Sequence, residues 1–157
     1  MREQQNIQTS ILDRLIDNEP DSSHEPVQSR FATVNQVRES VIRDLENLLN
    51  TRKSIRPVSD AAEQVRGSLY AYGVRDFISQ NPKSGAVRQQ IRQEIERIMT
   101  LFEPRLKNVA VRLDSSAGNE RALRFRITAL LFVDPVTAPI TFDTCFDINS
   151  GSYFIAK

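Results

Sequence analysis

The apolar residues of this 157-residue chain change period once, and the change separates a helical part from a sheet part. In AVRQQIRQEIERIMTLF (86–102), Val87, Ile91, Ile95, Ile98 and Leu101 or Phe102 recur at spacings of three and four. A helix puts such positions on one face. Beyond FEPRL (102–106) the spacing becomes two. NVAVRLD (108–114) sets Val109, Val111 and Leu113 against Ala110 and Arg112. RALRFRITALLFVD (121–134) sets Leu123, Phe125, Ile127, Ala129, Leu131 and Val133 first against Arg124 and Arg126, then against Leu130 and Phe132. These are strands, the second becoming apolar on both faces toward its end. SSAGNE supplies the turn between them. PVTAPI, with two prolines, is expected to break the strand, and TFDTCFDI and SYFIAK, separated by NSG, read as a closing hairpin.

The first half is helical. TVNQVRESVIRDLENLLNTRK (33–53) brings Val37, Val41, Leu45, Leu48 and Leu49 onto one face. Thr33 and Gln36 have capping-box spacing, Arg52 and Lys53 suit the negative end of the helix dipole, and Pro57 stops continuation. Nearer the start, TSILDRLIDNEP places Ile11, Leu12, Leu15 and Ile16 on one face of a short helix, with Thr9 or Ser10 as cap and Pro20 as terminator. A helix this short is marginal alone in water, so it must pack either on its own domain or on a partner. DSSHEPVQSR is a polar linker. RGSLYAYGVRDF (66–77) is expected to send Leu69, Tyr70, Tyr72, Val74 and Phe77 into the core, with Gly73 free to take a positive φ at a turn. The expected fold is α+β: two long helices on one face of a C-terminal antiparallel or mixed β-sheet, with a short N-terminal helix. Residues 1–30 hold the short helix and linker, and residues 31–157 form the α+β domain.

Charge and composition narrow the function. Twenty-one Lys and Arg balance twenty Asp and Glu, so no chain-wide field draws the protein to nucleic acid or an anionic membrane. Basic residues in TRKSIR fit helix termination and a solvated surface. No apolar run approaches the roughly 20 residues that span a bilayer, and no charged segment followed by an apolar run opens the chain, so a cytoplasmic location is expected. Cys145 has no second cysteine to pair with and reads as a small buried apolar residue of a strand. His24, the single histidine, lies in the polar linker, which disfavours a triad or a metal site. Without a glycine-rich phosphate loop, no cofactor is expected.

FEPRL places opposite charges on either side of a proline at the joint between helix and strand. Pro104 fixes its own φ and drives Glu103 out of helical conformation, so the helix is expected to stop near Phe102. A carboxylate at a helix C-terminus is disfavoured by about 0.3–1 kcal/mol unless it finds donors. Residues two apart on an extended chain share a side, so Arg105 is the nearest source. Three roles are compatible with this pair: an exposed ion pair, a catalytic carboxylate, or a buried clamp between helix and sheet. As a glycosidase acid, Glu103 needs a second carboxyl from Asp114, Asp134, Asp143 or Asp147, and it needs to stay protonated. An adjacent guanidinium favours the ionised form, and the chain has no Trp for sugar stacking. The clamp is the expected role of Glu103, Pro104 and Arg105.

SILDRL near the start, VIRDLENLLNTR (41–52), GSLYAYGVRDF (67–77), the helix ending in FEPRL and the alternating C-terminal strands together resemble the TssE family of type VI secretion baseplate subunits. That family is similar in turn to a phage baseplate wedge family labelled lysozyme-like. The resemblance covers nearly the whole chain, and the order and spacing of its short motifs carry it. Many relatives place Leu-Pro after the Tyr-Gly pair, where this chain has Val74 and Arg75. The resemblance implies a non-enzymatic subunit of a cytoplasmic baseplate near the inner membrane, joined to TssF, TssG and TssK and starting a TssB/TssC sheath. The lysozyme-like label supplies the alternative, a peptidoglycan-cleaving muramidase. Strand addition at the closing hairpin is one way to contact a sheath subunit. Candidate partner-binding residues are therefore Phe142, Phe146, Tyr153, Phe154 and Ile155, with Ile11, Leu12, Leu15 and Ile16 of the short helix.

Overall fold

The computed structural model describes residues 7–8, 10–16, 20–21, 31–59, 61–81, 84–114, 122–134, 136–147 and 149–156. A two-residue strand β1 (Ile7–Gln8) pairs antiparallel with β2 (Phe31–Ala32). Between them in sequence lies α1 (Ile11–Leu15). Two long helices follow, α2 (Val34–Asn50) and, after the short α3 (Glu63–Arg66) and a 3-10 turn at Leu69–Ala71, α4 (Gly85–Phe102). The chain then lays down β3 (Leu106–Asp114), β4 (Ala122–Val133), β5 (Val136–Asp147) and β6 (Ser152–Ala156) as an antiparallel meander in that order. This is the α+β architecture expected, and the sheet is antiparallel throughout.

Local chemistry sets the helix limits. Thr33 and Gln36 form the full capping box, Thr33 Oγ1 accepting from the Gln36 N–H and Gln36 Oε1 accepting from the Thr33 N–H. Such a cap is worth about 1 kcal/mol. Ser10 caps α1 through the Asp13 N–H, and the helix ends at Leu15, ahead of Pro20. α4 stops at Phe102, with Glu103 (φ −118°, ψ 84°) already non-helical before Pro104.

The core lies between the two long helices and one face of the sheet. α2 contributes Val37, Val41, Ile42, Leu45, Leu48 and Leu49, and α4 contributes Ile91, Ile95, Ile98 and Met99. The strands answer with alternating residues, among them Val111, Phe125, Ile127, Ile140, Phe142 and Tyr153. Each such aliphatic or aromatic side chain removed from water contributes about 1.5–3 kcal/mol. Phe102 is half-buried against Tyr72, ring centroids 5.2 Å apart and edge to face, while Leu101 faces solvent.

Three expectations change. The strand does break at PVTAPI, β4 ending at Val133 and β5 beginning at Val136, but Pro139 takes no part in the break and lies inside β5. The ladder explains why. Tyr153 of β6 directs its N–H and carbonyl away from β5, so its cross-strand partner Phe146 directs its own toward β4. By alternation Phe142, Ile140 and Ala138 also bond β4, whereas Thr141, Pro139 and Thr137 face the other edge, where proline forfeits no ladder bond. Among the described residues β6 covers only Asp143–Asp147 of that edge. Second, Val74 and Phe77 are buried as expected, but Leu69 is 87% and Tyr70 44% exposed. The 3-10 turn points their side chains off the domain. Third, Cys145 is half-buried on the sheet face opposite the helices, across from Phe154. SSAGNE, His24 and most of the polar linker lie outside the described residues.

Candidate functional site: a charged clamp and the sheet edge

Among the described residues the FEPRL joint is a densely bonded polar site. Arg105 grips the Glu103 carboxylate with two parallel bonds, Nε to Oε1 at 2.7 Å and Nη2 to Oε2 at 2.7 Å. The Arg105 backbone N–H adds a longer contact to Oε1, 3.3 Å. Nη2 also donates to Asp44 Oδ2 at 2.6 Å and Nη1 to Ser40 Oγ at 3.2 Å, both on α2. The Arg105 carbonyl accepts from the Phe132 N–H at 2.8 Å, so the same residue is bonded to β4. One residue therefore ties the end of α4 and the middle of α2 through its guanidinium, and the sheet through its backbone carbonyl. Glu103 is 5% exposed. Paired carboxylates hold Arg105 above its already high ordinary pKa: the Glu103 hydrogen bonds are the largest cause, against the opposing effect of burial, with Asp44 assisting.

The network runs on to the N-terminal segment. Ser40 Oγ donates to Asp13 at 3.0 Å, and Arg43 Nη2 donates to Asp13 Oδ1 at 2.8 Å and to Asp44 Oδ1 at 3.0 Å. α1 thus docks through its polar side. Its apolar side faces water, with Ile11 75%, Leu12 53% and Leu15 76% exposed and Ile16 half-buried. Burial pushes the Asp13 carboxyl up, but hydrogen bonds from Ser10, Arg43 and Ser40 outweigh it and hold the group below the usual carboxylate range. A depressed folded-state pKa stabilises docking above the unfolded value and is lost as pH falls through the folded one. Acid should therefore release α1 from α2 below about pH 4. Amide NMR signals of Ser10–Leu15 report this, and Asp13→Asn should weaken docking already at neutral pH. Signals unmoved down to about pH 2 contradict it.

LLNTR (48–52) forms a second joint. Leu48 and Leu49 are core, Asn50 bonds β6, and the Thr51 carbonyl accepts from the Val74 N–H at 2.8 Å. Lys53 N–H returns a bond to the Val74 carbonyl at 2.9 Å, and Arg52 Nη2 donates to the Gly151 carbonyl. Basic residues expected only to end a helix therefore include one that holds the β5–β6 turn. Gly73 sits between these strands of chain at φ 104°, with space for a Cβ only 2.4 Å from the Thr51 oxygen.

Of the candidate partner-binding residues, Phe142, Phe146, Tyr153 and Ile155 are buried in the core of this chain, and Phe146 and Tyr153 stack at 4.6 Å. Their side chains are unavailable to a partner. Phe154 is 58% exposed on the helix-free face. Asp114 and Asp143 lie on that same face, in β3 and β5, while Glu103 is enclosed among the helix ends and bonded to Arg105. Sequence reasoning missed Ser40, Asp44, Arg43 and Asp13. A serine and three charges on helices carry no periodic signal that distinguishes them from solvated residues.

The model of the family described as baseplate wedge protein gp25 matches residues 35–136, from α2 to the first residue of β5. A chain in a solved structure described as the baseplate complex from the type VI secretion system is 17% identical. That match covers 71% of this chain and 94% of the other, with a TM-score of 0.49. No curated protein matches. Among the described residues no helix is long and apolar enough to cross a membrane.

Proposed function

Because the chain belongs to the baseplate wedge protein gp25 family, we propose that it is a structural wedge subunit of a type VI secretion baseplate, TssE-like in role. In this reading it joins TssF, TssG and TssK in the cytoplasm near the inner membrane, and its sheet starts polymerisation of the TssB/TssC sheath. The carrying observation is the commitment of Glu103. It is the buried carboxylate of the family-like motif, and both its oxygens are held by Arg105. A general acid has to reach the leaving-group oxygen of a substrate, and both Glu103 oxygens are already taken up by Arg105 inside the fold. The pair fixes the angle between α4 and the sheet instead of acting on a substrate. The exposed Ile11, Leu12 and Leu15 suit a wedge partner.

Sheath contact is assigned to β5 rather than to β6. The outward backbone groups at Tyr153 and Ile155 are already bonded by α2, whereas Thr137–Thr141 have no strand beyond them among the described residues. An incoming strand bonds there to Thr137 and Thr141, with side chains setting register. The test compares tagged wild type with Thr141→Pro, which removes one outward donor at an exposed position. Wild type should recover wedge and sheath subunits from its own cells, and Thr141→Pro should keep the wedge while losing sheath foci. Normal sheaths in Thr141→Pro overturn the assignment to β5. Failure of wild type to recover any baseplate subunit, or peptidoglycan clearing abolished by Glu103→Gln, overturns the structural role.

A further inference from the structure

The connection between the two long helices is pinned to the end of α2, and it gathers cations there. The Val74 N–H donates to the Thr51 carbonyl at 2.8 Å and the Lys53 N–H to the Val74 carbonyl at 2.9 Å, which pairs Arg52 with Val74 in parallel. That register makes the next residues, Lys53 and Arg75, neighbours. Both charges act on Glu94 of α4. Burial pushes the Glu94 carboxyl up, but the hydrogen bonds and charge of Arg97, and then the charges of Lys53 and Arg75, outweigh it and hold the group low. Its oxygens are already committed, one to Arg97 Nε and the other to Arg97 Nη2, each at 2.9 Å. Among the described residues no carboxylate is hydrogen-bonded to Lys53 or Arg75. Like charges held side by side repel, and an anion between them removes that cost.

The same connection turns apolar side chains outward. Ile55, three residues past Arg52, stands fully in solvent, and Ile78 is half exposed. A Cβ built on Gly151 would meet both Arg52 Nη2 and Ile78 Cδ1 at 2.7 Å, so these two side chains adjoin. Leu69 and Tyr70 leave the domain at the 3-10 turn just before Val74. One exposed isoleucine needs no explanation, but several around a pair of unanswered cations have the composition of an interface.

We propose that this surface binds an acidic, aliphatic segment of a partner protein, with one carboxylate seated between Lys53 and Arg75 and an aliphatic side chain laid against Ile55 or Ile78. Charge sets the sign of the partner: residues 52–78 hold five basic residues against three acidic ones. The apolar side chains set its class. A nucleic acid is held by a row of cations and by aromatic faces that stack on bases, whereas the exposed groups here are chiefly aliphatic. A carboxylate suits the planar fork of Arg75. The surface lies on neither α1 nor β5, so its test is independent of the contacts assigned to them.

Random peptides displayed on phage and selected on the purified full chain provide the test. Enriched sequences should combine Asp or Glu with Leu, Ile or Val. The most enriched of them, made as a labelled peptide, should bind Lys53→Gln/Arg75→Gln at least about tenfold more weakly than wild type in fluorescence anisotropy. Ile55→Ser should weaken it roughly threefold or more with the charge unchanged, and Arg124→Gln, on the helix-free face of the sheet, should bind as wild type does. Should the double variant not fold, Arg75→Gln alone decides, because that side chain is exposed. No enrichment, enrichment of basic or uncharged sequences, or an acidic peptide whose binding these variants leave unchanged overturns the proposal. Single-stranded DNA that binds more tightly than the peptide and displaces it overturns it in favour of nucleic acid.

Discussion

Arg105→Ala is expected to lose about 3–5 kcal/mol of stability in chemical denaturation, because it strands a carboxylate that has almost no access to water. Glu103 also sits at the C-terminal end of α4, where the helix dipole adds to the cost of an unpaired anion. The converse change is gentler. Glu103→Ala leaves Arg105 bonded to Asp44 and Ser40, with a quarter of its side chain open to solvent. Arg105→Lys restores the charge but not the two parallel bonds, and should recover only part of the loss. The order to be measured is therefore Arg105→Ala worst, with Glu103→Ala and Arg105→Lys between it and wild type. A Glu103→Ala variant less stable than Arg105→Ala would show that the buried carboxylate is not the seat of the energy.

Gly73→Ala is the second large effect, about 2–5 kcal/mol, through a different mechanism. An alanine Cβ at this position lies 2.4 Å from the Thr51 carbonyl oxygen, and φ is 104°, so both sterics and backbone conformation oppose it. Neither side yields cheaply, since Thr51 and Lys53 are bonded to Val74 at 2.8 and 2.9 Å. Gly85→Ala is the natural control, because nothing lies within 4 Å of a Cβ built there. It should leave stability unchanged or raise it by about 0.5–1 kcal/mol. Equal urea midpoints for the two variants would contradict the close approach of these two segments.

The elements legible in the sequence are those whose cause is local. Thr33 with Gln36, the three-four spacing of α2 and α4, and Pro104 each act within a turn or two of chain, so the limits of the long helices followed from them. The half of the clamp made by Glu103 and Arg105 was visible for the same reason, as residues two apart on an extended chain. Its other half came from Ser40 and Asp44, more than sixty residues away in the case of Arg105, and no local pattern marks which helix charges meet across a fold. Leu69 and Tyr70 misled because an apolar side chain on a 3-10 turn goes where the turn directs it. Pro139 misled because proline breaks a ladder only on the side where an N–H is needed, and that side depends on strand order.

The tie between Asn50 and Tyr153 joins residues 103 positions apart. In a chain made from its N-terminus, α2 is synthesised and free to form long before the ribosome delivers SYFIA. The meander itself closes quickly, each strand against the one just finished. Its last strand thus emerges into the presence of a helix already carrying the amide and carboxylate that will cover it. Biosynthetic order alone favours the intramolecular cover over any neighbour on the same polysome, and a circular permutant that made α2 last would forfeit that head start.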